Sequence, residues 1–260
     1  MNNFGFNTFC TRNWLSLVEV LIDSICSFSE YPITVNCINF DYDFKNTQVI
    51  SKKIRDTGII TNSHLYKYKW STLLDSTYDL TVMLDADMIA LPEVDKLFYE
   101  NVNRIASCQF PLFAKHPHNP FENPIHKYHL KNMLDMFTSN QPSMKYVYAC
   151  GLVIKNHKSF IQEIIDSIDL FHKNNSIPYI EDEGILNCLL AKYQVNYDLG
   201  YNFFPNSTIY KDYISNNIDN SFELYESYLK LNCPVKFYCF HGCKDPNEAK
   251  NILENIKNKI

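Results

Sequence analysis

Three observations predict an α/β fold with a mostly parallel central sheet flanked by helices. Between Phe4 and Leu84, apolar runs of strand length alternate with segments of helical spacing in the order β-α-β-α-β, the pattern of a parallel sheet covered by helices. Leu80-Thr81-Val82-Met83-Leu84 is nearly all apolar, as in a strand buried on both faces. The chain has 260 residues, 46% hydrophobic and 20% charged, which is long enough and apolar enough to build a real core. No repeat or low-complexity linker interrupts it. One domain over residues 1–260 is expected, with a first half of about 1–110 and a second of about 111–260.

The elements follow in order. Phe4 to Thr11 reads as a strand. Asn13 is placed to cap a helix from Trp14 to Phe28, whose Leu17, Val18, Leu21, Ile22 and Ile25 share one face. Pro32 opens a strand over Ile33 to Asn39. The polar segment Val49 to Arg55 reads as helical, and Ser63 as the cap of a helix ending at Leu74. After the Leu80–Leu84 strand, Pro92 leads into a short helix, Glu93 to Tyr99, and Ile105 to Phe110 reads as a strand. Prolines at 111, 117, 120, 124 and 142 break up the next stretch, which has room for one helix between His126 and Phe137. A strand at Val147 to Ile154, helices at Ser159 to His172 and Asp182 to Lys192, a strand at Lys236 to His241 and a helix from Glu248 to Ile260 complete the chain.

Composition excludes several classes. Net charge is −5, and only three of the 24 basic residues are arginine (Arg12, Arg55, Arg104), so nucleic acid is not the expected partner. Six glycines argue against a glycine-loop nucleotide site. The nine cysteines contain no C-x-x-C pair and read as reduced thiols of a cytoplasmic protein. No signal-peptide pattern opens the chain, and no apolar run is long enough to span a bilayer.

The sharpest chemical feature is Asp85-Ala86-Asp87, directly after the buried strand. At the carboxyl edge of an open α/β sheet, where ligands bind, two carboxylates on extended backbone converge across a small Ala86. They repel one another unless a cation lies between them, and all-oxygen ligands suit Mg²⁺ or Mn²⁺ bridging to a diphosphate. With 17 aspartates in the chain, about one such pair arises by chance. A second pair, Asp41-Tyr42-Asp43, does occur, and its polar surroundings favour a solvated loop over a contact with base or ribose.

Tyr78 to Leu91, with Asp85-Ala86-Asp87 at its centre, resembles the D-x-D segment of GT-A-fold glycosyltransferases. The likeness is greatest to the group of glycogenin and the bacterial lipopolysaccharide galactosyl- and glucosyltransferases, family 8. Four other segments agree in order. Thr8-Phe9-Cys10-Thr11-Arg12-Asn13-Trp14-Leu15 resembles the first strand and turn. Tyr148-Ala149-Cys150-Gly151-Leu152-Val153-Ile154 resembles the family's N-A-G-V strand, and Glu181-Asp182-Glu183-Gly184-Ile185-Leu186-Asn187 its D-Q-x-x-L-N helix start. Phe240-His241-Gly242-Cys243-Lys244-Asp245-Pro246 resembles a late H-x-x-G-x-x-K-P-W segment. Ala149 stands for the expected Asn, Glu183 for Gln and Asn247 for Trp.

The resemblance implies a single GT-A, Rossmann-like domain. It implies retaining transfer of a sugar from a UDP-sugar to a glycan, glycolipid or glycoprotein. Beside it, Asp85, Asp87 and His241 would hold one ion, and the imidazole favours Mn²⁺ over Mg²⁺. Lys244 would add a cation on the phosphates. Lys69 is expected on the donor, since the family has a basic residue near there. Thr11 reads either as a hydrogen bond to the base or as a helix cap, and Trp14 either stacks on the base or packs on its own helix. Asp182 reads either as an acid placed by the helix dipole or as a group on the sugar or acceptor hydroxyl, where an inverting enzyme would use it as base. His116, His118, His126 and His129 are expected along the acceptor region or facing water. Two rivals use the same residues. One is a haloacid-dehalogenase-like phosphohydrolase with Asp85 as nucleophile. The other is a non-catalytic protein that binds nucleotide-sugar or glycan.

Overall fold

The computed structural model describes residues 3–56, 62–115, 133, 135–137, 147–174, 181–195, 237–239 and 245–258. Eight strands are described: β1 (Phe4–Cys10), β2 (Ile33–Ile38), β3 (Val49–Ile54), β4 (Leu80–Met83), β5 (Met88–Ala90), β6 (Leu112–Lys115), β7 (Val147–Ile154) and β8 (Phe237–Cys239). The helices are α1 (Leu15–Phe28), α2 (Asn62–Leu74), α3 (Lys96–Ser107), α4 (Lys158–Asn174), α5 (Glu181–Lys192) and α6 (Pro246–Lys257). Six strands form one sheet in the order β3-β2-β1-β4-β7-β6, and β5 and β8 form a ladder of their own. β2 runs parallel to β3 and β1 parallel to β4, whereas β7 is antiparallel to both β4 and β6. The expected α/β class with a mostly parallel sheet is therefore observed.

The chain forms two compact units. The first comprises Met1–Asn7, Asp56–Met83 and Val102–Leu199, and the second Thr8–Arg55, Leu84–Asn101 and Gly200–Ile260. In the first unit, Phe4–Asn7 pair with Leu80–Met83, all four of which are buried, as the apolar run predicts. Trp70 of α2 meets Phe113 of β6 edge to face, with centroids 6.1 Å apart. Gly151 of β7 lies opposite Met83 on one side and Phe113 on the other. A Cβ there would stand 2.4 Å from the Leu112 carbonyl oxygen, so close strand approach is what requires glycine at this position.

In the second unit, α1 buries Leu17, Val18, Val20, Leu21, Ile22 and Ile25. Leu17 and Val20 join Ile89 and Leu91 beside β5 and Ala249, Ile252, Leu253 and Ile256 of α6 in one cluster. Asp245 caps α6 by accepting from the Asn247 amide at 2.9 Å, and Pro246 opens the helix.

Several expectations need correction. Val49–Ile54 is a strand, not a helix: all six residues pair in parallel register with Ile33–Ile38. At the sheet's edge only alternate positions need cover, so its polar side chains fit a strand. Pro92 begins a turn, where Val94 donates to the Leu91 carbonyl and Lys96 to that of Glu93, which has φ 64°. The helix starts only at Lys96 and runs on through Ile105 to Ser107, and the strand follows Pro111. Asn13 lies within a 3₁₀ turn, Arg12–Trp14, and caps nothing, while Ser63 lies inside α2. Most of the stretch between His116 and Ser143, with its four histidines, is outside the described residues. Among the described residues, Cys10, Cys26, Cys37, Cys108 and Cys188 form no disulfide. No helix among the described residues is long and apolar enough to cross a membrane.

Two outcomes are expected. Gly151→Ala lowers stability by about 2 kcal/mol, since the colliding atom belongs to backbone and cannot rotate away; a urea midpoint equal to wild type contradicts this packing. His157 is buried, with Nε2 3.2 Å from the Cys108 carbonyl oxygen, and burial pushes its imidazole below the ordinary value. The folded group is then the weaker base. Its contribution is complete above the unfolded imidazole value and is lost as pH falls through that value toward the folded one. Thermal scans from pH 7.5 to 5 should show a shallower loss of stability in His157→Gln than in wild type.

Candidate functional site

The acidic pair belongs to the second unit and lies on the connection between β4 and β5. Extended backbone across the pair was expected, but the strand ends at Met83 and the chain turns at Ala86–Asp87. Asp85 and Asp87 are both half-buried at this turn.

The connection is fixed on both sides. Before it, Thr8 Oγ1 donates to the Leu84 carbonyl at 3.0 Å. Thr8 is itself buried, and its own carbonyl accepts from Asn36 Nδ2 of β2 at 2.9 Å. After it, the Ala90 amide donates to Ser24 Oγ of α1 at 2.8 Å, while that hydroxyl donates to the Leu21 carbonyl at 2.7 Å. Buried hydroxyls satisfied in this way hold a backbone segment, because releasing either bond strands a polar group away from water.

β5 is also held by β8. The ladder is antiparallel, with Met88 opposite Cys239, Ile89 opposite Tyr238 and Ala90 opposite Phe237. Cys239 and Met88 thus face one another at one end of the ladder. Among the described residues, no group of three or more His, Cys, Asp and Glu is arranged to hold a metal ion. The third expected ligand, His241, and the phosphate-binding candidate, Lys244, lie outside the described residues. The two carboxylates present are hard oxygen donors of the kind Mg²⁺ and Mn²⁺ take.

Thr11 precedes the Arg12–Trp14 turn with φ −92° and ψ 167°, and its side chain makes no capping bond. The capping alternative for Thr11 is thereby removed. The half-buried Trp14 packs against the α1–β5–α6 cluster, as its packing alternative requires. The guanidinium of Arg12 lies 5.9 Å from the Phe40 ring centroid. Asp41 is largely exposed and ion-paired with Lys53, on an open groove of about 370 Å³ lined by Phe40, Tyr42, Asp43 and Ser51 as well. That is the solvated loop expected of the second acidic pair.

The first unit holds the other two expected residues. Lys69 on α2 and Asp182 on α5 are both buried, with Nζ 3.3 Å from Oδ2. Asp182 Oδ1 also accepts from the Glu183 amide at 2.9 Å. This pairing was not expected from sequence, which treated the two separately. Asn187 was missed as well. Its Nδ2 donates to the Val147 carbonyl at 2.9 Å and its Oδ1 accepts from the Val147 amide at 2.9 Å, so one amide side chain joins α5 to the start of β7. Two signals for it were in the sequence: it closes the segment that resembles D-Q-x-x-L-N, and it is an amide on the otherwise apolar stretch Ile185–Ala191.

No family model matches the chain, and no curated protein matches it. Solved structures do. A structure of the galactosyltransferase LgtC in complex with donor and acceptor sugar analogues aligns at 14% identity with a TM-score of 0.61. The alignment covers 98% of this chain and 95% of that one. A structure of an active-site mutant of LgtC, with Glu in place of Gln, aligns at 13% identity with a TM-score of 0.64 and the same coverage. The likeness establishes the fold, GT-A, along nearly the whole chain.

Thr8→Val keeps the shape of the side chain and removes the donor to Leu84. We expect a loss of about 1 kcal/mol and faster hydrogen exchange at the amides of residues 85–88. Unchanged exchange there would show that the hydroxyl does not hold the connection.

Proposed function

We propose that this chain, built on the fold it shares with a galactosyltransferase, is a metal-dependent glycosyltransferase. It would take a sugar from a UDP-sugar and join it to a hydroxyl of a glycan, glycolipid or glycoprotein acceptor. The observation that carries this reading is the β5–β8 ladder. Asp87 is one residue before Met88, and His241 is two residues after the facing Cys239. Two residues of chain reach at most about 7 Å, so the ladder supports bringing an imidazole from far along the sequence toward the acidic pair.

In this reading Asp85, Asp87 and His241 hold Mn²⁺, or Mg²⁺ in its place. The ion, when bound, supplies Lewis-acid neutralisation of charge developing on the leaving diphosphate. Lys244 adds a further cation on the phosphates. Thr11, with a side chain not spent on capping, supplies a hydrogen bond for the base or ribose, and Trp14 flanks the same turn. Asp182 accepts from a hydroxyl of the sugar or the acceptor. The bond from the anomeric carbon to the diphosphate oxygen breaks, a bond from that carbon to the acceptor oxygen forms, and the proton of the acceptor hydroxyl passes to the departing diphosphate. The family resemblance favours retention at the anomeric carbon.

The test is a screen of nucleotide sugars, with and without Mn²⁺, for thermal stabilisation and for release of nucleoside diphosphate. A UDP-sugar is expected to stabilise the protein only with Mn²⁺ present. Asp85→Asn and Asp87→Ala should abolish that dependence and cut turnover at least roughly 10²-fold, with circular dichroism unchanged. Activity surviving both substitutions removes the metal assignment. Tight nucleotide-sugar binding without turnover on any acceptor favours a binding protein instead.

A further inference from the structure

Lys69 and Asp182 are the only Lys, Arg, Asp or Glu side chains that are buried among the described residues, 6% and 8% exposed. Desolvating two charges is costly, and an apolar pair of similar volume is generally as stable or more so. A burial of this kind calls for a reason other than stability.

Both helices that carry the pair are held to the sheet of their unit. Thr72 Oγ1, one turn beyond Lys69, donates to the Lys69 carbonyl at 2.9 Å and accepts from Asn7 Nδ2 of β1 at 2.8 Å. Asn187, one turn beyond Glu183, donates to the Glu183 carbonyl at 2.8 Å besides its two bonds to Val147. The result is a carboxylate at the head of α5 with one oxygen toward an ammonium and the other on a backbone amide. Neither helix is left to slide.

We propose that Lys69 is a positioning residue: it holds the Asp182 carboxylate in one orientation, with Asn187 keying the helix beneath it, and does not itself contact the donor. With Oδ2 facing the ammonium and Oδ1 on the Glu183 amide, the carboxylate cannot turn. Asp182 serves as a fixed hydrogen-bond acceptor for a hydroxyl rather than as a base. The role in turnover rests on the glycosyltransferase reading; the pairing itself does not.

The experiment uses the full chain in five forms: wild type, Lys69→Arg, Lys69→Met, Asp182→Leu and the double variant Lys69→Met/Asp182→Leu. Without ligand, Lys69→Met should lower the unfolding midpoint by roughly 10 °C, and the double variant should recover at least half of that. With Mn²⁺ and a UDP-sugar, Lys69→Met should lower kcat at least roughly 30-fold while donor KM stays within about twofold, and Lys69→Arg should restore most of the activity. Additive losses of midpoint overturn the pairing. A donor KM raised tenfold with kcat retained makes Lys69 a donor contact and overturns the positioning role. If Lys69→Met does not fold, folding of the double variant shows the coupling, and failure of both while Asp182→Leu folds counts against it. If wild type turns over no nucleotide sugar, the glycosyltransferase reading falls while the midpoint cycle still decides whether Lys69 serves Asp182.

Discussion

A hydrogen bond from a buried hydroxyl to a backbone carbonyl decides where the acidic pair stands. Thr8 Oγ1 reaches the Leu84 carbonyl at the point where β4 has just ended, and without that bond the chain would leave the strand unguided. Ser24 does the matching work on the far side, by accepting from the Ala90 amide. Between the two anchors lie only five residues, so the turn at Ala86–Asp87 has little freedom. Much of the second unit is built to serve them. β2 presents Asn36 to the Thr8 carbonyl, and α1 carries Ser24 on the same buried face as Leu21 and Ile25.

The two acidic pairs share a local pattern and differ in their surroundings. Both follow a strand, and both are separated by one residue. Asp41 stands largely in water and is already neutralised by Lys53, so a cation would gain little there. Asp85 and Asp87 are half-buried and flanked by buried Leu84 and Met88.

Sequence periodicity reached those parts of the fold whose burial is one-sided or complete. β4, β7, α1, α4 and α5 all lie where their apolar spacing puts them. It failed at β3, where an edge strand with Lys52 and Lys53 carries too little apolar signal to resemble a strand. It also failed at Ile105, which continues the buried face of Leu97 and Phe98 two turns further along one helix. The acidic pair, Lys69 and Asp182 were legible as residues. Their relations were not. The ion pair joins positions more than a hundred residues apart, and Asn187 and Ser24 bind backbone atoms that carry no side-chain signature. Pattern reading finds which faces are wet or dry; it does not find which polar atom meets which across the sheet.

The β5–β8 ladder has a consequence for biogenesis. Met88 leaves the ribosome roughly 10–30 s before its partner Cys239, at ordinary elongation rates. During that interval the short apolar strand and the face of α1 destined for α6 have no cover. Nascent chains of this protein should therefore depend on holding chaperones until the final fifth of the polypeptide emerges, and premature termination would yield a species prone to aggregation rather than a smaller folded protein.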